Sequence, residues 1–413
     1  MNSKPQNREM PNIRHMLVYC AARKHQSISQ AAHKLNLTQP AASQGIAKLE
    51  ADLGVPLLVR SGKGIAATDE GDIFAERAER AIAQLRAGIK AALHHAGEDT
   101  KGTDQLQRNI TTSQIRTLIA MGTHGSFTVA AKSLGLAQPT VHRTAKALEE
   151  TCGFALFRST VRGIELTVSG QILNQAAKLA RDELRQAREE LTQFSGQGRS
   201  TFILGSLPLA RTSIIPAAIS EMLDREKELQ VRVIEGRYEE LLRALREGDI
   251  DCLIGALRSP APADDVVEEH LFHDDLVIVS NASHPLAQKA EVTLEDTLGY
   301  PWIAPPIATP AGQYLFETLD IENRSKTPVR VVASSFVLLR ELMLTGEFLT
   351  VISGLQIKKD LDEGNLKVLP IDLQGQTRSI GLTIRKKWHP TSSQTAFLGS
   401  LKRAGIAAIT GAK

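Results

Sequence analysis

The chain has 413 residues, 42% of them hydrophobic, and a formal net charge of +3. That length suits two or three globular domains, and no apolar run reaches the roughly 18 residues that a membrane-spanning helix needs. Cys20, Cys152 and Cys252 stand far apart with no C-x-x-C spacing, which argues against a disulfide framework or a zinc site and leaves three small hydrophobes expected in cores.

The start, Met1 to Pro5, leads into polar residues with no apolar stretch, so no signal peptide is expected. The expected location is the cytoplasm, with no membrane contact. Charge is uneven along the chain. Residues 1–96 carry 13 Lys and Arg against 8 Asp and Glu, and residues 97–196 carry 12 against 10. The remainder carries 24 against 28, so a basic half precedes an acidic one. This division suits a nucleic-acid reader joined to a different module.

Ile13, Met16, Leu17, Cys20 and Ala21 follow the period of an amphipathic helix. A second helix turns Ile28, Ala31, Ala32 and Leu35 inward, and its small alanines permit a steep, close crossing. Leu37 is expected to plug the core after a short turn. Thr38 and Pro40 then suit the N-cap and first turn of a third helix burying Ala42, Ile46, Leu49 and Leu53. Its open face shows Gln39, Ser43, Gln44 and Lys48, side chains that can address base edges and phosphates. A plain solvated helix has the same look. A Gly-punctuated basic hairpin follows, with Arg60 and Lys63 as candidate backbone contacts.

Residues 72–93 form a long helix with Ala75, Ala78, Ile82, Leu85, Ile89 and Ala92 on one seam. His94 to Asn109 is polar, with few apolar anchors, and is expected to be a flexible connector. The chain then repeats itself. Ser27 to Glu50 returns 99 residues later as Ser126 to Glu149, with 9 of 24 positions identical and no gap. The second open face shows Gln138, Thr140, His142, Arg143 and Lys146, and the second hairpin shows Arg158 and Arg162. Its Phe157-Arg158 step is one residue short of the first hairpin's spacing, and Ala137 lacks the capping hydroxyl of Thr38. The next helix, 171–194, has a continuous seam of Leu173, Ala177, Ala180, Leu184, Ala187, Leu191 and Phe194 and a charged opposite face. This seam is expected to dimerise.

The order S-x-x-x-A-A-x-x-L-x-L-x-Q-P, followed by Leu49-Glu50, Leu53-Gly54, Arg60, Thr68 and Gly71, resembles the winged helix-turn-helix of LysR-type transcriptional regulators. Ile28, Leu58-Val59 and Ala67 depart from that pattern. The resemblance implies a linker helix that pairs with a second subunit. It also implies a homodimer or homotetramer bound to double-stranded promoter or operator DNA. Two such modules in one chain are unusual for the family.

After residue 198, strands and helices alternate as βαβα, and a parallel sheet is expected. Glu235-Gly236, Leu241-Leu242, Leu245, Gly248 and Ile250-Asp251 resemble the family's two-lobed effector domain, which has the fold of type 2 periplasmic binding proteins. Crossing strands are expected near 275–280 and 380–385. Ser206, Thr309, Ser334 and Ser335 stand at strand-to-helix junctions and are the candidate effector contacts; each is also an ordinary capping residue. The effector is expected to be a small acid, an aromatic compound or a sugar.

The expected architecture is therefore multidomain. It comprises winged helix-turn-helix modules at 11–68 and 110–168, linker segments at 69–109 and 169–196, and an α/β effector domain at 199–413. No P-loop, dinucleotide fingerprint, H-E-x-x-H or catalytic triad is present in the sequence. An enzyme is not expected, nor a cofactor. The function implied is a ligand-controlled transcription regulator. The alternative is an architectural DNA-binding protein with a ligand-free C-terminal dimerisation domain.

Overall fold

A computed structural model describes residues 10–62, 64–161, 163–196, 198–324 and 328–410. It divides into two compact units. One runs to Ser200 and includes Glu247–Asp249, and the other holds Thr201–Arg246 and Ile250 onward.

In the first unit, α1 (Ile13–His25), α2 (Ile28–Lys34) and α3 (Gln39–Leu53) are followed by the hairpin β1 (Leu58–Ser61) and β2 (Gly64–Ala67), then α4 (Asp69–Ala96). After α5 (Thr103–Asn109) the pattern recurs as α6 (Thr112–His124), α7 (Phe127–Leu134), α8 (Gln138–Cys152), β3 (Phe157–Thr160), β4 (Gly163–Leu166) and α9 (Val168–Phe194). Matching local rules build both copies. Glu50 accepts from the backbone N–H of Leu57 at 2.8 Å, and Glu149 does so from Leu156 at 2.8 Å. Thr68 and Thr167 cap α4 and α9 through Gly71 and Gly170. A side chain at those two glycines would place its Cβ 2.2 Å from the Leu57 carbonyl oxygen and 2.3 Å from that of Leu156, so only glycine fits.

The first core departs from the sequence pattern. Val18, Tyr19 and Ala22 are buried in α1, while Leu17, Cys20 and Ala21 are half-buried flankers. Leu37 is 41% exposed and does not plug the core. Phe74 and Tyr19, rings 5.8 Å apart, fill it from α1 and α4 instead.

The expected connector is built as a turn and a helix. Leu106, Thr103 and Gln107 of α5 are buried, and Gln107 donates to the Ile82 carbonyl at 2.7 Å. One leucine and one amide supply the anchor that the polar composition concealed. The α4 and α9 seams close on each other inside one chain. Arg77 meets Glu183, Gln186 and Glu190, and Gly88 meets Ile172 and Ala176, so the helices run antiparallel. The predicted charged outer face of α9 is partly interior, since Asp182, Glu183 and Gln186 are buried. Phe194 is exposed rather than part of the seam.

The second unit contains β5 (Ser200–Ser206), α10 (Ile214–Arg225), β6 (Leu229–Glu235), α11 (Tyr238–Arg246), β7 (Cys252–Ala256) and β8 (Val266–Asn281). It continues through α12 (Leu294–Thr297), β9 (Trp302–Ala304), α13 (Pro310–Gln313), β10 (Val329–Val332) and α14 (Phe336–Thr345). It ends with β11 (Thr350–Ser353), α15 (Lys358–Asp362), β12 (Leu366–Val368), β13 (Thr377–Arg385) and α16 (Ser392–Thr410). The sheet is mixed rather than parallel: β5 and β7 are parallel, but β13 enters antiparallel between β7 and β8.

Two lobes result. β8 is long enough to serve both, its first part pairing with β13 and its last with β11 and β12. The return crossing lies at the start of β13, where Thr377 pairs with Asp275, not at 380–385, which sits wholly within the first lobe. Phe202 and Phe397 anchor the first lobe's core, and Trp302, Leu315 and Leu349 anchor the second.

Candidate functional site

The third helices of the two modules present their polar faces outward. On α3, Gln39, Gln44 and Lys48 are exposed and Ser43 is half-buried. Thr38 caps this helix by accepting from Ala41. His15 of α1 packs beneath Gly45, and burial, then the nearby Lys48 charge, lowers its pKa. On α8, Gln138, His142, Arg143 and Lys146 are exposed and Thr140 is half-buried. Two contacts orient this second face. Thr128 donates to the Gln138 side chain at 3.2 Å, and the His142 ring stands edge-on to Phe127 at 5.0 Å. Ala137 makes no capping bond, and Pro139 in the first turn removes one of the N–H groups that would need it.

The wings are equal in length. Leu58 pairs with Ala67 and Phe157 with Leu166, the same register 99 residues on, so no residue is missing from the second. Its arginine has moved one position along the strand instead. Successive strand residues face opposite sides, so Arg60 and Arg158 do not occupy equivalent places. Arg158 pairs across the hairpin with Glu165 at 2.9 Å, which offsets its charge. Arg60 is exposed and lies opposite Ile65. Lys63 and Arg162 lie outside the described residues.

In the second unit, the four candidate effector contacts stand at strand-to-helix junctions, and three of them make local hydrogen bonds. Ser206 is buried, with its hydroxyl donating to the Leu207 carbonyl. Thr309 caps α13 through Gly312, and Ser335 caps α14 through Leu338. Ser334 is exposed. A cleft of about 440 Å³ opens between the end of β7, β8, the start of α13 next to Thr309, and the start of β13. Arg258, Glu268 and Arg378 give it its charge, and His270 also lines it. The Arg258 guanidinium lies 4.5 Å over the Tyr238 ring, and its backbone N–H donates to Glu268. Burial raises the Glu268 carboxyl above the usual range, opposed by that N–H and by Thr383. Arg378 is paired with Asp274.

None of these four residues stands out in the sequence pattern. Arg258 follows the apolar β7 run directly, and strand C-termini are where open α/β sheets bind ligands; that signal could have found it. His270 and Arg378 lie within strands and carry no such signal.

Among the described residues, no helix is long and apolar enough to cross a membrane. Burial pushes the Cys152 thiol up to about 12, consistent with a buried hydrophobe.

Residues 13–72 and again 112–171 match the family model for bacterial regulatory helix-turn-helix proteins of the lysR family. Residues 195–405 match the LysR substrate binding domain. Over 395 residues the chain is 28% identical to the HTH-type transcriptional regulator GalR of Pseudomonas putida, covering 96% of this chain and 98% of that one. It is 26% identical over 290 residues to PcaQ of Agrobacterium fabrum, covering 70% of this chain and 93% of PcaQ. A full-length OxyR variant from Pseudomonas aeruginosa shares the fold at a TM-score of 0.51 and 19% identity, covering 71% of this chain and 98% of that one.

Proposed function

This chain belongs to the LysR family of bacterial transcriptional regulators, and we propose that both of its helix-turn-helix modules read DNA under the control of a small carboxylate held by Arg258. Membership makes it a sequence-specific DNA-binding regulator, controlled by a small-molecule effector that binds between the two lobes of its C-terminal domain. The architectural alternative gives way, because the match to the substrate binding domain extends over residues 195–405.

The observation that carries the two-reader proposal is the duplicated presentation of α3 and α8. Each is held by the same Glu-to-backbone clamp and leaves exposed side chains on one face. On α3, Gln44 can pair with an adenine edge, and Lys48 with guanine or phosphate. On α8, Arg143 can take guanine bidentately while Lys146 reaches phosphate. Arg60 and Lys63 of the first wing, with Arg158 and Arg162 of the second, are proposed as lesser contacts. Arg158 is the weakest of these because Glu165 competes for it.

The carboxylate proposal rests on the cleft. Asp274 offsets Arg378, which leaves the Arg258 guanidinium beside Glu268, whose ionisation burial already disfavours. An Arg fork suits a planar carboxylate better than it suits a sugar hydroxyl. The protein would act in the cytoplasm, without catalysis. Because the α4–α9 seam closes within the chain, assembly of chains into a homodimer or homotetramer would use other surfaces.

The test is DNase footprinting of the wild type beside Gln44→Ala/Lys48→Ala and Arg143→Ala/Lys146→Ala proteins. Each pair is expected to weaken binding by about tenfold or more, with a shallower salt dependence where the removed lysine neutralised a phosphate. A variant with unchanged footprint and affinity would show that its module does not read DNA.

A further inference from the structure

We infer that a single chain is one complete DNA-reading head, whose two modules form an internal pseudo-dimer and occupy a site made of two unlike half-sites. The inference rests on the proposal that both modules read DNA.

The internal geometry is that of a two-fold axis. The repeat offset is 99 residues, and the Ile13 backbone N–H donates to the Thr112 hydroxyl at 3.0 Å with that same separation. A residue therefore touches its own equivalent, as residues beside a two-fold axis do. The long helices obey the same operation. Adding and subtracting 99 turns the Arg77·Gln186 contact into Ala176·Ala87, beside the observed approach of Gly88 to Ala176. Two-fold symmetry of this kind matches the local dyad of B-DNA, on which paired recognition helices enter successive major grooves.

The axis is approximate because the two helices carry complementary, not identical, groups. Arg77 is 2% exposed and reaches Glu183, Gln186 and Glu190, and Glu183 also receives Arg80. The α4 residues equivalent to those three are Gln84, Ala87 and Ala91, which offer no carboxylate. The α9 residue equivalent to Arg77 is Ala176. Pairing α4 with another α4 would thus bury Arg77 without an anionic partner. Pairing α9 with another α9 would leave Glu183 and Glu190 without Arg77. Burying an unpaired charge is severely unfavourable, so the pair is specified as α4 with α9. Every reading head then contains one module of each kind.

The path of the connector places both helices in one chain. α5 turns back from the end of α4 to its middle, where Gln107 bonds Ile82 and Asp104 pairs with Arg86 at 2.6 Å. That return delivers α6 beside α1, where the Ile13–Thr112 bond forms.

The two reading faces are unlike at equivalent positions. Ser43 corresponds to His142, Gln44 to Arg143 and Ala47 to Lys146, and only Gln39 and Gln138 agree. A head of this kind has no reason to prefer an inverted repeat.

The experiment has two arms, both with the full chain. Selection of duplexes from a randomised double-stranded pool is expected to enrich two dissimilar half-sites separated by whole helical turns, about 10 bp each. Enrichment of one inverted repeat of two like half-sites, with no unlike half-site beside either, overturns the inference, because it requires like modules from two chains. In the second arm, the Gln44→Ala/Lys48→Ala and Arg143→Ala/Lys146→Ala proteins are co-expressed and titrated on the selected duplex. The mixture is expected to bind no more tightly than the better variant alone. Recovery of wild-type affinity overturns the closed head, since it requires an intact α3 and an intact α8 from different chains. If the wild type enriches no sequence, the DNA-reading proposal itself fails, and this inference with it.

Discussion

Gly88→Ala tests the α4–α9 seam through the sign of its effect. A Cβ built on Gly88 lies 2.1 Å from the Cβ of Ala176. Carbon atoms pack at about 3.5–4.0 Å, so the two backbones would have to part by roughly 1.5 Å. Overpacking of this kind costs about 1–3 kcal/mol. Against it stands helix propensity, which favours alanine over an interior glycine by about 0.8–1.0 kcal/mol. The net expectation is a loss of up to about 2 kcal/mol, read as a lower urea midpoint at unchanged slope. In an unpaired helix the same change would stabilise the protein by about 1 kcal/mol, because only propensity would remain. Gly88→Ala/Ala176→Gly moves the methyl group from one helix to the other, so the propensity terms cancel and the clash disappears. That double variant is expected to regain most of the loss, a coupling of about 1–3 kcal/mol. A stabilised Gly88→Ala protein, or a double variant weaker than the single, would refute the close approach of the helices.

Arg77→Ala leaves Glu190 without a partner and Glu183 with Arg80 alone. It is expected to cost about 3 kcal/mol in a urea titration; a loss under about 1 kcal/mol would mean that the Arg77 network is not buried as described. Arg258→Ala addresses the cleft. In thermal shift against a panel of small carboxylates, at least one acid is expected to raise the wild-type midpoint in a concentration-dependent way and to have no such effect on the variant. Equal stabilisation of both proteins would place the acid elsewhere. His15 gives a pH dependence. Its folded pKa lies below the ordinary value of 6.5, so the folded state resists protonation. The corresponding stability is present above about 6.5 and is lost as pH falls from there toward the folded value. Calorimetry across that window is expected to show a smaller decline for His15→Gln than for wild type, and equal declines would count against the half-buried imidazole.

The helix-turn-helix modules were legible because short-range rules decide them. Ala31-Ala32 and Ala130-Ala131 permit the close crossing, Pro40 and Pro139 mark helix starts, and the Gly-punctuated hairpins follow at fixed distances. Such signals lie within a few residues of the structure they specify. The pairing of α4 with α9 was harder to read, since an apolar seam announces a partner without saying which chain supplies it. The deciding residues are polar. Arg77 looks like a surface residue until Glu183 and Glu190, more than a hundred positions away, are known to face it. Gln107 likewise passes for part of a loose connector until Ile82 is seen to accept from it. The cleft was harder to read for a related reason. Ser206, Thr309 and Ser335 were chosen at strand-to-helix junctions, where capping and ligand binding require the same hydroxyl, and in this fold each hydroxyl is bonded locally. Arg258 and Arg378 are instead brought together by β7, β8 and β13, whose order depends on a crossing that no local pattern marks. The distinction bears on mechanism. A duplicated arm can be recognised from sequence as a second copy, but whether it adds a second reader to one head or a first reader to another depends on charges that are complementary only between α4 and α9.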